Sequence, residues 1–304
     1  MTAAASRVGA SRSAVSQQIA NLETLLGARL LDRTSRPLVL TPTGVTLLGY
    51  ARRILAAMGE AQAELLGSSS SALAALRVGI IDDLDASITP ELVNHLHDHF
   101  PHVDLSVSSG RSDDLTTQLE KRLADIVLSG EVPGDSLRYE DYPLLREPFI
   151  VVAPAGVIDV SQDLSQQLKQ RPYIRYNAGM PMGRTITQHL RRLRLDYRSP
   201  ASFDASRSVF AMVRKCGGWA ITTPLCLLDS RADRDLMQCF KLPFAGYSRT
   251  IRLLARHGEF GDLPGNLAQA ASALFGDLLQ RETAGLPEWV AETTVILGDV
   301  GEPS

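Results

Sequence analysis

The stretch from Ser11 to Gly44 constrains this chain most, because it spells a polar-faced helix, a glycine stop and a basic hairpin within one small unit. Val15, Ile19, Leu22 and Leu26 recur at steps of four, three and four, the spacing of one helical face. Arg12, Ser13, Ser16, Gln17, Gln18 and Asn21 fall elsewhere on the helix. Ser11 is a predicted N-cap, and Gly27 closes the helix as the residue after its last turn. Short side chains that both donate and accept hydrogen bonds are what reading base edges in a major groove requires. Leu30-Leu31 and Leu38-Val39-Leu40 flank Arg33-Thr34-Ser35-Arg36-Pro37 as two short strands around a basic tip. Arg33 and Arg36 there suit phosphates or a minor groove. On periodicity alone, an ordinary amphipathic surface helix followed by a loop is an equal reading.

Charge is distributed unevenly. The net charge is −3, yet residues 1–58 carry seven arginines against Glu23 and Asp32, so the remainder is strongly acidic. A basic head on an acidic body is the footprint of a duplex-binding module joined to a domain with another task. With 304 residues, 44% of them hydrophobic, the chain is long enough for two or three packed units. It has no uninterrupted apolar run of membrane-spanning length and no leader after Met1, so a cytoplasmic location is expected. Cys216, Cys226 and Cys239 match no zinc spacing and read as buried or free thiols in a reducing compartment.

Thr41-Pro42 is a cap followed by proline at the first helical position. Leu47, Ala51, Ile54, Met58, Ala61 and Leu65 then follow in steps of four and three, a coiled-coil seam of roughly 36 Å at 1.5 Å per residue. Gly67 and the serines 68–71 break that helix. Beyond them, strand-like runs at 76–81, 103–107, 124–128 and 149–153 alternate with helical stretches after Pro90 and around 115–123. A second set follows, with strands at 173–176, 201–203 and 219–222 and helices near 184–194 and 206–215. Residues 247–256 and a helix over 265–282 return to the first set. This alternation predicts α/β architecture with parallel sheet and right-handed crossovers, and ligands at the carboxyl ends of its strands. The tail from Leu286, rich in small and acidic residues, is expected to be poorly ordered.

The head resembles that of the LysR-type transcriptional regulators. The run of alanines at 3–5, Ser11 through Glu23 with Ala14-Val15-Ser16 and Gln18-Ile19, Leu26-Gly27, Arg33, Arg36-Pro37 and Leu40-Thr41 with Gly44 carry the likeness. Leu123 to Leu128 and Gly217 to Pro224 look like the same family's marks in the body. The resemblance implies a winged helix-turn-helix over 1–41, a linker dimerisation helix over 42–66 and a hinge over 67–75. It implies a two-lobed α/β effector domain over 76–285, similar in fold to periplasmic binding proteins, with a tail over 286–304. It also implies promoter DNA, a small-molecule effector and further copies of the chain, as dimer or tetramer, as partners. The family has a further helix before the alanine run, where Met1 falls, so weak DNA binding is expected of this form unless the true start lies upstream.

Arg12, Ser13, Ser16, Gln17, Gln18, Arg33 and Arg36 are thus the expected DNA contacts. Strand ends and the resemblance nominate Asp83, Arg111, Ser129, Arg175, Asn177, Asp204 and Thr222 as effector contacts. Asp82, Asp83 and Asp85 are read either as acceptors for an ammonium or hydroxyl group or as complements to a helix dipole. Arg175, Asn177, Arg184 and the helix opening at Ser206-Arg207 suit a carboxylate. Together these groups point to a small acid or an amino acid. His95 and His99 stand one turn apart, but with no convergent ligand they are read as packing residues, and neither metal nor cofactor is expected. The absence of a nucleophile elbow, a P-loop and a post-strand GxGxxG argues against an enzyme. The alternatives are a DNA-binding-deficient partner of full-length copies and a solute-binding protein of the same body.

Overall fold

A computed structural model describes residues 11–35, 38–51, 54, 73, 75–230, 235–282 and 286–298. The chain divides into two compact units, Met1–Ala74 and Ala75–Ser304. Arg36, the alanine run, Met58, Ala61 and Leu65 lie outside the described residues.

In the first unit, helix α1 (Arg12–Leu26) begins where Ser11 Oγ accepts the Ala14 amide at 3.1 Å. It ends at Gly27, whose φ of 63° is the left-handed conformation that lacks a steric cost only for glycine. Short strands β1 (Leu31–Asp32) and β2 (Val39–Leu40) pair antiparallel, as the hairpin reading required. Glu23 ties helix to hairpin, its Oε1 accepting the Leu30 and Leu31 amides and its Oε2 receiving Arg33. Helix α2 (42–51) starts with Thr41 Oγ1 accepting the Gly44 amide. Leu30 is buried at this junction, while Leu22, Leu25 and Leu26 remain exposed on α1.

The second unit has two lobes. Lobe I is a six-stranded sheet in the order β13-β6-β12-β5-β3-β4. Strands β3 (Ala75–Ile81), β4 (Asp104–Gly110) and β5 (Ile126–Ser129) are parallel. They are connected through α3 (Thr89–His99) and α4 (Ser112–Glu120). Strands β6 (Tyr139–Pro148), β12 (Ser248–Arg256) and β13 (Val295–Ile296) run antiparallel to their neighbours. The sheet is therefore mixed rather than parallel. The difference is β6, whose prolines and acidic residues hide its strand character. Pro143 sits at the register shift opposite Ile251/Arg252, where a missing ladder donor does least harm.

Lobe II holds β7 (Ile150–Pro154) between β10 (Ala220–Thr222) and β11 (Met237–Lys241), both antiparallel to it. A parallel pair, β8 (Arg175–Tyr176) and β9 (Ser202–Phe203), lies apart. Helices α5 (Leu164–Lys169), α6 (Pro181–Arg192), α7 (Ser206–Cys216) and α8 (Pro224–Asp229) complete it. Its core centres on Trp219 and Phe210, with the Trp219 indole N–H donating to the Leu168 carbonyl at 2.9 Å. The two crossovers between lobes are bonded to each other. Phe149 N donates to Tyr247 O at 2.9 Å, and their rings stack at 4.1 Å. A long helix, α9 (Leu263–Glu282), returns to pack on lobe I. Residues 286–298 were expected to be poorly ordered. Instead they form α10 (Glu288–Thr293) and β13, because Val290 is fully buried and β6 offers a free edge.

A Cβ at Gly44 would stand 2.0 Å from the Leu30 carbonyl oxygen, so α2 sits on that backbone through a bare glycine. Gly44→Ala should therefore unseat α2 and lower the melting temperature of the head, while the transition of residues 75–304 stays in place. Calorimetry resolving the two transitions checks this; an unchanged head transition would refute it.

Candidate functional site

On α1, Arg12, Ser13, Gln17 and Gln18 are exposed and Ser16 is partly so, leaving a polar ridge opposite half-buried Val15 and Ile19. Gln17 donates to Asn21 at 3.0 Å, which orients its amide along the helix. Arg33 is half-exposed and held by Glu23 at 3.1 Å. Asp32 shapes the hairpin tip by accepting from Thr34 and Ser35; those hydroxyls and the Thr34 amide lower its carboxyl to about 2. The ridge and residues 32–35 of the hairpin are thus surface groups oriented by local hydrogen bonds, where base and phosphate contacts would have to lie.

Between the lobes of the second unit lies a cavity of about 550 Å³. Its lobe I wall is the 3₁₀ turn Asp82–Leu84 with Asp85, followed by Gly110, Arg111 and Ser112. From lobe II come Tyr176, Met180–Met182 and Asp204–Arg207. Asp229 and Arg249 line the floor. Both walls are strand ends running into helices, the place where open α/β sheets present free backbone groups.

The floor is a buried ion network. Arg249 Nε donates to Glu147 at 2.7 Å, Nη1 to Asp83 at 2.9 Å and Nη2 to the Thr223 hydroxyl at 3.0 Å. Burial opposes the guanidinium charge, and Glu147 with Cys226 and Asp83 outweighs it, so Arg249 stays protonated. Burial also pushes the Glu147 carboxyl up, against the pull of Arg249 and the Leu225 amide. Asp83 in turn accepts from Ser206 Oγ at 3.1 Å across the cleft, and Ser206 receives the Tyr176 hydroxyl. Asp229 accepts the Ala86 and Ser87 amides and the Ser87 hydroxyl, which pins the turn after β3.

At the mouth, Arg111 donates to both Asp113 oxygens and to Gly179 O on the other lobe at 3.1 Å. Arg184 reaches back from α6 to Glu131 at 3.1 Å. Asp85 takes the Ser109 hydroxyl. Among the described residues the Asp82 and Asp204 carboxylates make no hydrogen bond or ion pair, although the charge of Arg207 reaches Asp82 and that of Arg111 reaches Asp204. Burial, then repulsion from Asp85 and Asp83, raises the Asp82 carboxyl. Opposite, α7 opens without a side-chain cap, beside exposed Arg207.

Of the nominated effector contacts, Asp83, Arg111 and Asp204 meet in this cavity. Thr222 sits one bond behind it, 2.8 Å from the Tyr176 hydroxyl. Ser129 is buried and closes its own turn through Glu131. Asn177 bonds the Gly179 amide, and Arg175 is exposed on β8; neither lines the cavity. Arg249, Glu147 and Asp229 were not nominated. The one signal for them was a charged residue on the apolar face of a strand, Glu147 sharing the side of Leu145.

A winged head followed by two α/β lobes around a polar cleft defines a ligand-responsive DNA-binding protein. The family model described as LysR substrate binding domain matches residues 70–276. That described as bacterial regulatory helix-turn-helix protein, lysR family, matches residues 1–45. The chain belongs to the LysR family of transcriptional regulators: it is a DNA-binding regulator with an effector domain, not an enzyme. It is 30% identical over 267 residues to the regulator YusT of Bacillus subtilis, covering 86% of this chain and 85% of that one. It is 31% identical over 153 residues to a probable hydrogen peroxide-inducible genes activator of Mycobacterium xenopi, covering 50% and 80%. For several other such relatives the match spans about half their length. A full-length OxyR from Pseudomonas aeruginosa shares the fold with a TM-score of 0.67 at 19% identity, over 89% of this chain and 90% of that one. Among the described residues no helix is long and apolar enough to cross a membrane.

Removing Arg249 would leave Glu147 buried without its partner, a loss of about 3–5 kcal/mol in comparable cases. Arg249→Met should lower the urea midpoint accordingly, and adding Glu147→Gln should restore part of it. Equal stability of the wild type and the single variant would show that the network bears no load.

Proposed function

We propose that this cytoplasmic regulator reads promoter DNA as a dimer and responds to a small amino-bearing effector, most simply an α-amino acid or amine. The observation that carries the effector class is the charge left over in the cleft. Five aspartates line it against three arginines. Arg249 is consumed by Glu147 and Asp83, and Arg111 by Asp113. Asp82 and Asp204 are left to receive a cation, while the uncapped start of α7 and Arg207, which adjoin Asp204 on the lobe II wall and act on Asp82, suit a carboxylate carried next to that cation. Ser129, Arg175 and Asn177 lie outside the lining and have no part in this reading. On the DNA side, Arg12, Ser13, Ser16, Gln17 and Gln18 contact base edges, and Arg33 with Arg36 contacts the backbone. Exposed Ile54, on the predicted seam, supports pairing through the linker helix.

Asp82→Asn with Asp204→Asn should abolish the amine response of a reporter while operator affinity in a gel shift is kept. A retained response would remove the cation reading. Because Asp82 is raised, effector affinity should fall as pH drops through that raised value and the carboxylate is lost. Gln17→Ala should cost operator affinity but little non-specific binding, whereas Arg33→Ala should weaken both.

The peroxide-inducible relatives pose the question of a redox response. Here burial pushes the cleft thiol Cys226 up to about 12 and Cys239 up to about 11, so neither is a thiolate at neutral pH. Hydrogen peroxide at signalling concentrations should therefore not act through Cys226 or Cys239, and a peroxide-dependent shift in operator binding that Cys226→Ser abolishes would contradict this.

A further inference from the structure

The segment 286–298 lies beyond residue 276, where the substrate-binding match ends, and it touches both lobes. On lobe II, Val290 is fully buried in the Trp219 core, with Leu286 and Trp289 packed against that core. The Lys241 ammonium sits 5.4 Å from the Trp289 ring centroid. On lobe I, Val295 and Ile296 pair with Arg146 and Leu145, and Leu297 N donates to Leu144 O at 2.9 Å. These anchor points bracket the first crossover, since β6 ends at Pro148 and Ile150 is the partner of Lys241. Between them lie only the last residues of α10 and Thr294. Gly298 ends the segment against α9, where a Cβ would stand 2.1 Å from Ser272 Oγ.

We infer that residues 286–298 are a strap fastened to both lobes across the hinge, and that it sets how far the effector cleft opens. Two lobes joined by two strands twist about those strands. A third connection, hydrogen-bonded to one lobe and buried in the other, must slide, bend or detach for that twist to proceed. The strap lies on the crossover side and contributes no residue to the cleft lining, so it acts on the cleft only through lobe motion. This inference does not depend on which effector binds.

Hydrogen exchange on the full-length protein tests it. Three variants are compared with the wild type: a chain ending at residue 285, Gly298→Val, and Arg146→Cys with Val295→Cys oxidised to a cross-strand disulfide. The cleft amides over 82–88 and 205–209, which the strap does not touch, should exchange about tenfold faster in the first two and more slowly in the third. If changes stay confined to the strands the strap contacts, 142–148 and 237–242, or if cleft exchange is unaltered, the strap is a local edge cover and the inference fails. Should the shortened chain not fold, Gly298→Val and the disulfide decide: both unchanged at the cleft overturns it, and opposite shifts there support it.

Discussion

Arg249 is the residue on which the body of this protein turns. A guanidinium in a nearly dry site is tolerable only with its charge matched and its donors filled, and here Glu147, Asp83 and Thr223 do both. Glu147 and Arg249 are directly opposite each other on β6 and β12, one pair in from the end of the ladder where the chain crosses between lobes. The ion pair therefore locks the two crossovers in register where the lobes must hinge. Through Asp83 the same guanidinium fixes the turn at the end of β3, and through Ser206 that turn meets the opposite lobe.

This placement sets the electrical character of the cleft. Its one deeply buried cation is already satisfied, so what remains open to a ligand is the Asp82 and Asp204 carboxylates, with exposed Arg207 and the start of α7 beside Asp204. The mouth contacts from Arg111 to Gly179 and from Arg184 to Glu131 are partly exposed and weak by comparison. They are bonds that a ligand or a lobe rotation can trade, whereas the floor is not. On the reading proposed above, a ligand that traded these mouth contacts would change the angle between the lobes while the floor kept its register.

Much of this was legible in the residues. Ser11, the four-three-four apolar steps and Gly27 announce α1, and Leu76 to Ile81 announces the first strand, because local periodicity and caps decide both. What stayed hidden depends on pairing at a distance. Strand β6 carries Pro143 and Pro148 and declares itself only against β12, about a hundred residues away. The partnership of Glu147 with Arg249 is likewise invisible until two strands align them. Asp83 and Asp204 were nominated by strand ends, yet the same rule nominated Arg175, which the fold turns outward. The tail misled by composition: Val290 and Trp289 are few among small and acidic neighbours, but one buried side chain, one half-buried ring and one free sheet edge are enough to order it.

The cleft is proposed to receive a cation beside an arginine whose own charge is already satisfied. Calorimetric titration of the whole chain with matched ligands, differing only in one charged group, tests it most directly. Lysine against norleucine, arginine against citrulline and putrescine against butanediol supply the pairs, with dicarboxylates alongside. Every ligand that binds should carry the ammonium or guanidinium group, and its neutral counterpart should bind at least about tenfold more weakly. Binding confined to the dicarboxylates, or equal binding within a pair, would contradict it.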